Sequence, residues 1–274
     1  MTTATDRQIH RTSATVDVDA PADVVYRALT DVADWPVLYP WIAHTEVVAR
    51  EGADDEVKFW AVRPGPEGGL RIWTSKRTLD PVARRMVFEQ QGSVGPIEQL
   101  GGTWDFVARE GGGCRVESGH WFTTDADPAV TAGELDRHGA LQMRTLKSQT
   151  ESATALTTDV VRVEASAVAK GPLAEVRARL LAALPAGEGD AWFGETEAGP
   201  TVQIVHGDGV VVQKLLSPPE PAELLRTRWL FDEEAGGGVR VTADVLAVAT
   251  RGHDQVRALA EAGVRDALAR AGAR

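Results

Sequence analysis

Apolar and polar residues alternate with a period of two along much of this chain, a pattern typical of β-strands with one buried face. Short turn signals such as EGADD, LDPVA and EGGG separate the alternating runs. In the first half we predict strands at residues 14–19, 44–50, 56–62, 70–79, 85–91, 101–109 and 114–122. In the second half we predict strands at residues 160–169, 201–207, 210–216, 223–231 and 239–249.

Four other stretches have helical periodicity. We predict helices over residues 21–35, 129–155, 171–185 and 253–271, with Pro36 ending the first. The long second helix has an apolar side formed by Leu135, Leu141, Met143 and Leu146. Strand, helix, antiparallel strands and a long helix follow one another in each half. This order predicts an α+β class, in which a curved antiparallel sheet wraps around the last helix and leaves a gap for a pocket.

The sequence of one predicted hairpin occurs twice in the chain. Residues 104–116 read WDFVAREGGGCRV, and residues 229–241, which lie 125 positions later, read WLFDEEAGGGVRV. The repeat predicts two copies of one fold, with domains at 1–152 and 158–274 joined by the polar linker SATALTTD. Aligning Val16 with Val161 makes the second copy about 20 residues shorter in its middle.

Aromatic residues are concentrated in the first copy. Six of the eight Trp, both Tyr and four of the six Phe precede residue 158. Two copies of one fold need similar cores, so the surplus predicts an aromatic-lined cavity in the first domain.

Charge and composition exclude several classes of function. A net charge of −11 argues against nucleic acid and anionic membranes as partners. No apolar run reaches the roughly 20 residues of a membrane helix, and the polar N-terminus lacks a signal core, so we expect a cytoplasmic protein. A single cysteine, Cys114, permits neither an internal disulfide nor a cysteine metal cluster.

Arg77 is the strongest candidate for chemistry, because no nucleophile, phosphate-loop, metal or dinucleotide motif is present. Strand periodicity puts Trp73, Ser75 and Arg77 on one face and Lys76 on the other. A guanidinium among aromatic rings stays charged and can donate to a carbonyl or enolate oxygen. The alternative is a surface arginine lying over Trp73.

Two further residues are candidates for proton transfer. Tyr39 follows the first helix and could relay a proton, although a buried tyrosine that anchors a loop is an equal alternative. His44 could serve as acid or base, or be an exposed residue at a strand end. His138 and Gln142 lie one turn apart on the long helix and either face the gap or solvent. We expect the substrate-binding residues to be Trp35, Trp60, Trp73, Trp104, His138, Gln142 and Met143.

Several stretches together resemble the two-domain aromatase/cyclases of bacterial type II (aromatic) polyketide pathways. These proteins belong to the helix-grip (START, SRPBCC) superfamily. The stretches are VDVDAPADVVYRALTDVADWPVLYPWIAHTEVV, LRIWTSKRTLDPVARRMVFEQ, GPIEQLGGTW and LDRHGALQMRTLK, which cover most of residues 14–150. The tryptophan–proline pair after the first helix, the W-T-S-x-R strand and the G-P…G-G-T-W strand carry the resemblance jointly.

The resemblance implies two helix-grip domains and an enzyme of polyketide and antibiotic biosynthesis. Such enzymes fold a poly-β-ketone from an acyl carrier protein, close the first ring by aldol condensation, and dehydrate it. The two-domain members join carbons seven and twelve of ketoreduced chains. The family's pocket arginine falls on Arg77, its pocket tryptophan on Trp104, and its W-P motif on Trp35 and Pro36. No cofactor or metal is implied; the partners are the carrier protein, the minimal polyketide synthase and the small-molecule substrate.

The second half departs from this family pattern. No W-P pair follows its first helix, and no stretch after residue 158 matches the W-T-S-x-R strand. We therefore expect the second domain to be a reduced helix-grip copy that supports the first, with a small or absent pocket. Three rival functions stay open: a non-catalytic carrier of a hydrophobic or aromatic small molecule, a structural subunit of a synthase, and a hydrolase or dehydratase for another substrate. Because carrier proteins are usually acidic, docking to this acidic chain needs a local basic patch. The candidates are Arg63, Arg71 and Lys76, or Arg137, Arg144 and Lys147.

Overall fold

A computed structural model describes residues 8–63, 69–152, 159–184, 191–196, 199–207 and 210–273. The chain divides into two compact units. The first comprises residues 1–61 and 71–153, and the second comprises residues 62–70 and 154–274. Most of the predicted linker and of the RPGPEGG turn lies outside the described residues.

The first unit is one antiparallel sheet with helices on one of its faces. Its elements in chain order are β1 His10–Val18, α1 Ala22–Thr30, a short 3-10 turn Val32–Asp34, α2 Trp35–Leu38, β2 Ile42–Glu51, β3 Asp54–Val62, β4 Leu70–Asp80, β5 Arg85–Gln91, β6 Ile97–Ala108, β7 Cys114–Thr124 and α3 Pro128–Glu151. The strands lie in the order β1-β7-β6-β5-β4-β3-β2. Every strand predicted in this half is present.

The helix predicted over residues 21–35 is present over Ala22–Thr30, but it ends at Asp31 rather than at Pro36. The backbone there leaves the helical region (φ −81°, ψ 89°), and the Asp31 carboxylate accepts a hydrogen bond from the Ala33 N–H at 3.3 Å. Pro36 lies in the first turn of α2, where its missing N–H removes no helical hydrogen bond. Pro36 therefore helps to begin a helix rather than end one, and the break turns Trp35 into the core.

Helix α3 packs its narrow apolar side on the concave face of the sheet. Thr131, Met143, Leu146 and Thr150 are its buried residues. Leu141, predicted on the apolar side, is exposed, because it lies on the opposite side of the helix from Leu146. Asp127 caps the N-terminus of α3 by accepting a hydrogen bond from the Ala129 N–H at 2.8 Å. None of the described helices has the length and apolar character needed to cross a membrane.

The second unit repeats this plan with one strand fewer among its described residues. Its elements are β8 Val160–Ala169, α4 Leu173–Ala183, β9 Ala191–Thr196, β10 Gly199–His206, β11 Val210–Leu215, β12 Leu224–Glu233, β13 Val239–Val248 and α5 His253–Arg270. The order of the strands is β8-β13-β12-β11-β10-β9. Strand β9 was not predicted, because alternating small residues around Trp192 and Phe193 give a weak pattern.

The repeated hairpins have the same register. Trp104 lies opposite Ser118, and Trp229 lies opposite Ala243. Each turn is closed by equivalent backbone bonds, from the Arg109 N–H to the Gly113 carbonyl at 2.8 Å and from the Glu234 N–H to the Gly238 carbonyl at 2.9 Å. The duplication expected from the sequence is therefore a duplication of structure.

Strand pairing also corrects the alignment of the two copies. Val16 lies opposite Val116 in the first unit, and Ala167 lies opposite Val241 in the second. Because Val116 and Val241 are equivalent hairpin positions, Val16 corresponds to Ala167 rather than to Val161. The second copy is therefore shorter than the first by more than the roughly 20 residues obtained by aligning Val16 with Val161. It has no counterpart of β2 or of α2 among its described residues.

Candidate functional site

A cavity of about 160 Å³ lies between the concave face of the first sheet and α3. Six residues predicted for the site line it: Trp35, Trp73, Arg77, Trp104, His138 and Gln142. The other lining residues are Phe59, Arg71, Ser75, Met86, Phe88, Gln90, Leu100, His120, Leu135 and Gly139. Strand β4 contributes alternate residues from Arg71 to Arg77, as predicted, and Lys76 is exposed.

Aromatic rings form a continuous wall along one side of this cavity. The ring centroids of Trp35 and Phe59 are 5.0 Å apart, and those of Phe59 and Trp73 are also 5.0 Å apart with planes inclined by only 10°. The guanidinium carbon of Arg71 lies 5.0 Å from the Trp73 ring. The Trp35 indole is fixed by its Nε1 hydrogen bond to the Leu29 carbonyl at 2.9 Å. Stacked and fixed rings present a rigid apolar surface to any planar ligand.

Arg77 is buried and held by a bidentate ion pair with Asp55. Its Nε donates to Asp55 Oδ1 at 2.8 Å and its Nη2 donates to Asp55 Oδ2 at 2.7 Å. Nη2 also donates to the Thr30 carbonyl at 3.2 Å. The two side chains are 2% and 1% exposed. Arg77 is therefore not a surface residue, and its orientation is set by three hydrogen bonds.

The remaining guanidinium nitrogen, Nη1, is buried and has no hydrogen-bond partner among the described residues. A buried N–H group without a partner costs about 1–3 kcal/mol, so an acceptor that reached Nη1 would be stabilised. Arg77 itself lines the cavity. Asp55, its counter-ion, was missed from the sequence because EGADD reads as a turn. The alternation Asp55, Val57, Phe59 on β3 is the signal that could have identified it.

His120 is a second residue that the sequence did not indicate. It lies on β7 beside the cavity, with its ring centroid 6.4 Å from that of Trp104 and 5.7 Å from that of Phe88. Burial among these rings lowers the pKa of His120, and the charge of Asp136 partly opposes the change. The imidazole is therefore neutral at pH 7 and able to accept a proton.

Tyr39 lies behind the aromatic wall rather than on it. Its ring is 5.0 Å from that of Trp35, edge to face, and the residue is 1% exposed. Burial raises the pKa of the Tyr39 phenol, while the neighbouring Gln142 side chain acts in the opposite direction. The hydroxyl has no hydrogen bond of regular geometry among the described residues. Tyr39 can therefore donate a proton in a hydrogen bond but cannot act as a base near neutral pH.

His44 and Trp60 face away from the cavity, so the structure corrects both assignments. Phe59 points to the cavity, and because successive strand residues alternate, Trp60 points to the other face. His44 lies directly opposite Trp60 on β2, and the two rings are 5.0 Å apart. Because Phe59 and Trp60 are adjacent and both aromatic, the sequence does not show which of them points to the cavity.

The α3 residues separate into cavity and core positions. His138, Gly139 and Gln142 line the cavity, and the exposed His138 marks its opening. The His138 imidazole Nδ1 lies 3.0 Å from the Glu134 carbonyl oxygen. Met143 lies in the hydrophobic core with Leu146 and does not line the cavity, because it is one position round the helix from Gln142.

The second unit also contains a cavity, which corrects the expectation of a small or absent pocket there. It lies between the second sheet and α5 and has a volume of about 690 Å³. Strand β10, which corresponds to the strand predicted at residues 201–207, occupies the place of β4. Strand β11 holds the place of β5 in the second sheet. Arg77 pairs with Phe88 on β5, and Gln203 pairs with Gln213 at the equivalent position on β11. Gln203 is therefore the counterpart of Arg77.

The two antiparallel sheets, each packed against a long helix, define a protein of two helix-grip domains with the second copy shortened. Over residues 18–182 the chain matches the model of the family described as polyketide cyclase / dehydrase and lipid transport. This match covers more than half of the chain, and the protein therefore belongs to that family.

Curated relatives come from polyketide pathways. The chain is 34% identical over 148 residues to the granaticin polyketide synthase bifunctional cyclase/dehydratase of Streptomyces violaceoruber, an alignment that covers 53% of the chain and 45% of the relative. It is 33% identical over 145 residues to the actinorhodin polyketide synthase bifunctional cyclase/dehydratase of Streptomyces coelicolor, covering 52% and 44%. The chain thus matches a little under half the length of these relatives.

Two solved structures share the whole fold. The di-domain ARO/CYC BexL from the BE-7585A biosynthetic pathway superposes with a TM-score of 0.75 at 24% identity, covering 96% of this chain and 97% of BexL. The di-domain ARO/CYC StfQ from the steffimycin biosynthetic pathway superposes with a TM-score of 0.79 at 17% identity, covering 95% and 97%. At these identities the likeness establishes the two-domain architecture.

Proposed function

We propose that this protein is a polyketide aromatase/cyclase. It takes a carrier-bound, ketoreduced poly-β-ketone, closes the first ring by an aldol reaction between carbons seven and twelve, and dehydrates the product towards an aromatic ring. Family membership and the cyclase/dehydratase relatives support the reaction class. The observation that carries the proposal is the aromatic cavity with one buried arginine nitrogen left without a partner.

The size of the first cavity fits one ring rather than a whole chain. An apolar cavity of about 150 Å³ is known to accommodate benzene, and this cavity measures about 160 Å³. The segment that cyclises would therefore be enclosed, while the rest of the polyketide extends through the opening beside His138. Enclosing only the reacting segment fixes which two carbons meet and removes much of the entropic barrier to cyclisation.

Arg77 would stabilise the oxygen on which negative charge develops. During the aldol step the attacking methylene loses a proton, its carbon bonds to a ketone carbon, and the ketone oxygen gains the electron pair. A hydrogen bond from Nη1 to an enolate or alkoxide oxygen strengthens as that charge grows. The ion pair with Asp55 holds the guanidinium in place, so no side-chain reorganisation is needed during the reaction.

Proton transfer would fall to His120 and Tyr39. The neutral imidazole of His120 can accept the methylene proton and return a proton to the hydroxyl that leaves as water. Tyr39 would hold a hydrogen bond as a neutral phenol, through Gln142, at the edge of the site. His44, which faces the other side of the sheet, is given no part in the reaction.

A carrier protein would dock near the opening of the cavity. Arg71 and Lys147 are engaged within the unit, because Arg71 lies over Trp73 and Lys147 Nζ donates to the Asp17 carbonyl at 2.7 Å. Arg137 and Arg144 are exposed on α3, the helix that carries His138. Because they share the helix of His138, we assign the docking patch to Arg137 and Arg144, of which Arg137 also lies 4.0 Å from the Glu134 carboxylate.

Reconstitution with a minimal polyketide synthase and a ketoreductase tests the proposal. We expect the protein to redirect the products towards one cyclised aromatic compound. We expect the double variant Arg77→Met/Asp55→Leu, which removes both members of the buried ion pair, to abolish that change. Arg85→Met is the matched control, because Arg85 is a strand arginine paired with Asp105 at 2.8 Å and does not line the cavity. A product profile unaffected by the protein would refute the cyclase function.

A non-catalytic carrier is the second candidate, and the larger cavity of the second unit favours it. A carrier would bind its ligand and leave the product profile of the synthase unchanged. It would also tolerate Arg77→Met/Asp55→Leu, provided that the variant is folded. The same reconstitution therefore separates the two functions.

A further inference from the structure

The cavity of the second unit uses the same strand positions as the first cavity but carries different chemistry. Equivalent hairpin and strand pairing makes Val245 the counterpart of His120, and Thr201 the counterpart of Ser75. Gln203 replaces Arg77. At these positions the buried cation is replaced by the amide of Gln203, which does not itself line the second cavity, and the imidazole is replaced by the aliphatic side chain of Val245.

The interior of this second cavity is uncharged among the described residues. Its floor is formed by the side chains of Thr201, Gln213, Thr227 and Trp229, and Gln213 donates a hydrogen bond to Gln203 at 3.2 Å. The charged residues of its lining, Asp266 and Arg270, are exposed on α5 and form an ion pair with each other. An anionic or cationic ligand would find no buried counter-charge here, and burying a charge without one is strongly unfavourable.

The opening of this cavity is suited to an apolar molecule. Leu259 is 56% exposed at the edge of the cavity, next to Gly263 on the same face of α5. At about 690 Å³ the cavity is more than four times as large as the first and lies within the range of small-molecule sites. Thr201, Gln213 and Thr227 present hydroxyl and amide groups on the lining, with which a ligand oxygen can form hydrogen bonds.

We propose that the second unit is a binding site for a neutral, largely apolar compound of two or more rings that carries a carbonyl or hydroxyl oxygen. The site binds its ligand without transforming it, because it lacks the arginine and histidine of the first cavity. This inference does not depend on the cyclase function, and either proposal can fail alone.

Binding of prodan, a neutral fluorescent naphthyl ketone, to the full chain tests the inference. We expect one saturable site with a blue-shifted emission. A Cβ atom at Gly263 would meet no atom within 4 Å, so Gly263→Leu can be accommodated and places a side chain at the cavity. It should weaken prodan binding at least tenfold.

A matched variant exists in the first unit. Gly139 lines the first cavity and also has open space at its Cβ, so Gly139→Leu should block the first cavity and leave prodan binding unchanged. Gly133→Leu on the same helix, where a Cβ also meets nothing within 4 Å and which lines neither cavity, controls for the glycine replacement itself. If Gly263→Leu does not fold, Thr227→Phe on β12 fills the same cavity from the sheet side.

Competition between prodan and other naphthalene compounds tests whether the second cavity prefers neutral to charged ligands. Methyl naphthalene-2-carboxylate should displace prodan at least tenfold more effectively than naphthalene-2-carboxylate, because only the neutral ester enters an uncharged site. The inference is overturned if the folded protein does not bind prodan. It is also overturned if Gly139→Leu abolishes binding and Gly263→Leu does not, if neither variant changes it, or if the carboxylate competes as well as the ester.

Discussion

Replacing Arg77 by Met should strongly destabilise the first unit, because it leaves the Asp55 carboxylate without its bidentate partner. Asp55 is 1% exposed, and its other cationic neighbour is Arg50, whose Nη2 is 3.2 Å away on a side chain that is 59% exposed. Removing one partner of a buried ion pair lowers the free energy of unfolding by about 3–5 kcal/mol. Replacing both partners by apolar residues of similar size often leaves the stability nearly unchanged. The double variant Arg77→Met/Asp55→Leu should therefore recover most of the lost stability.

Urea unfolding followed by tryptophan fluorescence measures this effect. Six of the eight Trp lie before residue 158, so the signal reports mainly on the first unit. Arg85→Met is the control, since its partly exposed pair with Asp105 is worth at most about 1 kcal/mol. The reasoning would be refuted by a loss below about 1 kcal/mol in the single variant, or by a double variant no more stable than the single one.

Three further predictions follow from individual side chains. If His120 is the base, cyclisation should fall as pH drops below about 6.5, since burial lowers its pKa and only the neutral ring accepts a proton; His120→Asn should remove most of the activity and that pH dependence, and an unchanged pH–rate profile would contradict the role. Burial raises the pKa of the Cys114 thiol to about 11, so iodoacetamide at pH 8 should leave it unmodified until urea unfolds the chain, as mass spectrometry would show. Asp127→Ala should cost about 1 kcal/mol in urea unfolding through loss of the α3 cap, and Asp127→Ser should restore most of it; equal losses in both would contradict a capping role.

The strands and the duplicated hairpin could be predicted from the sequence because alternation and turn glycines are local properties. Alternation also predicts which residues share a face of a strand, as Trp73, Ser75 and Arg77 do. It does not predict which face is inward, so the sequence could not show that Phe59 rather than Trp60 lines the cavity, or that His44 pairs with Trp60.

Residues that act across long separations in the chain could not be found in this way. Asp55 is identified only by its contact with Arg77, 22 positions later. His120 becomes part of the site only when β7 pairs with β6 beside Trp104. The second cavity was missed because its lining residues, such as Thr201 and Val256, lie far apart in the chain and are brought together only by the fold.

The pairing of Arg77 with Asp55 also limits how the two halves of the chain can diverge. In an ancestor with two equal copies, loss of the arginine alone would leave a buried carboxylate unpaired. Loss of the aspartate alone would leave a buried cation unpaired. Each single step passes through a less stable protein, so the two residues are expected to disappear together or after a compensating change. For the same reason, replacing Gln203, which is 2% exposed, by arginine would require an acidic residue on the adjoining strand β9.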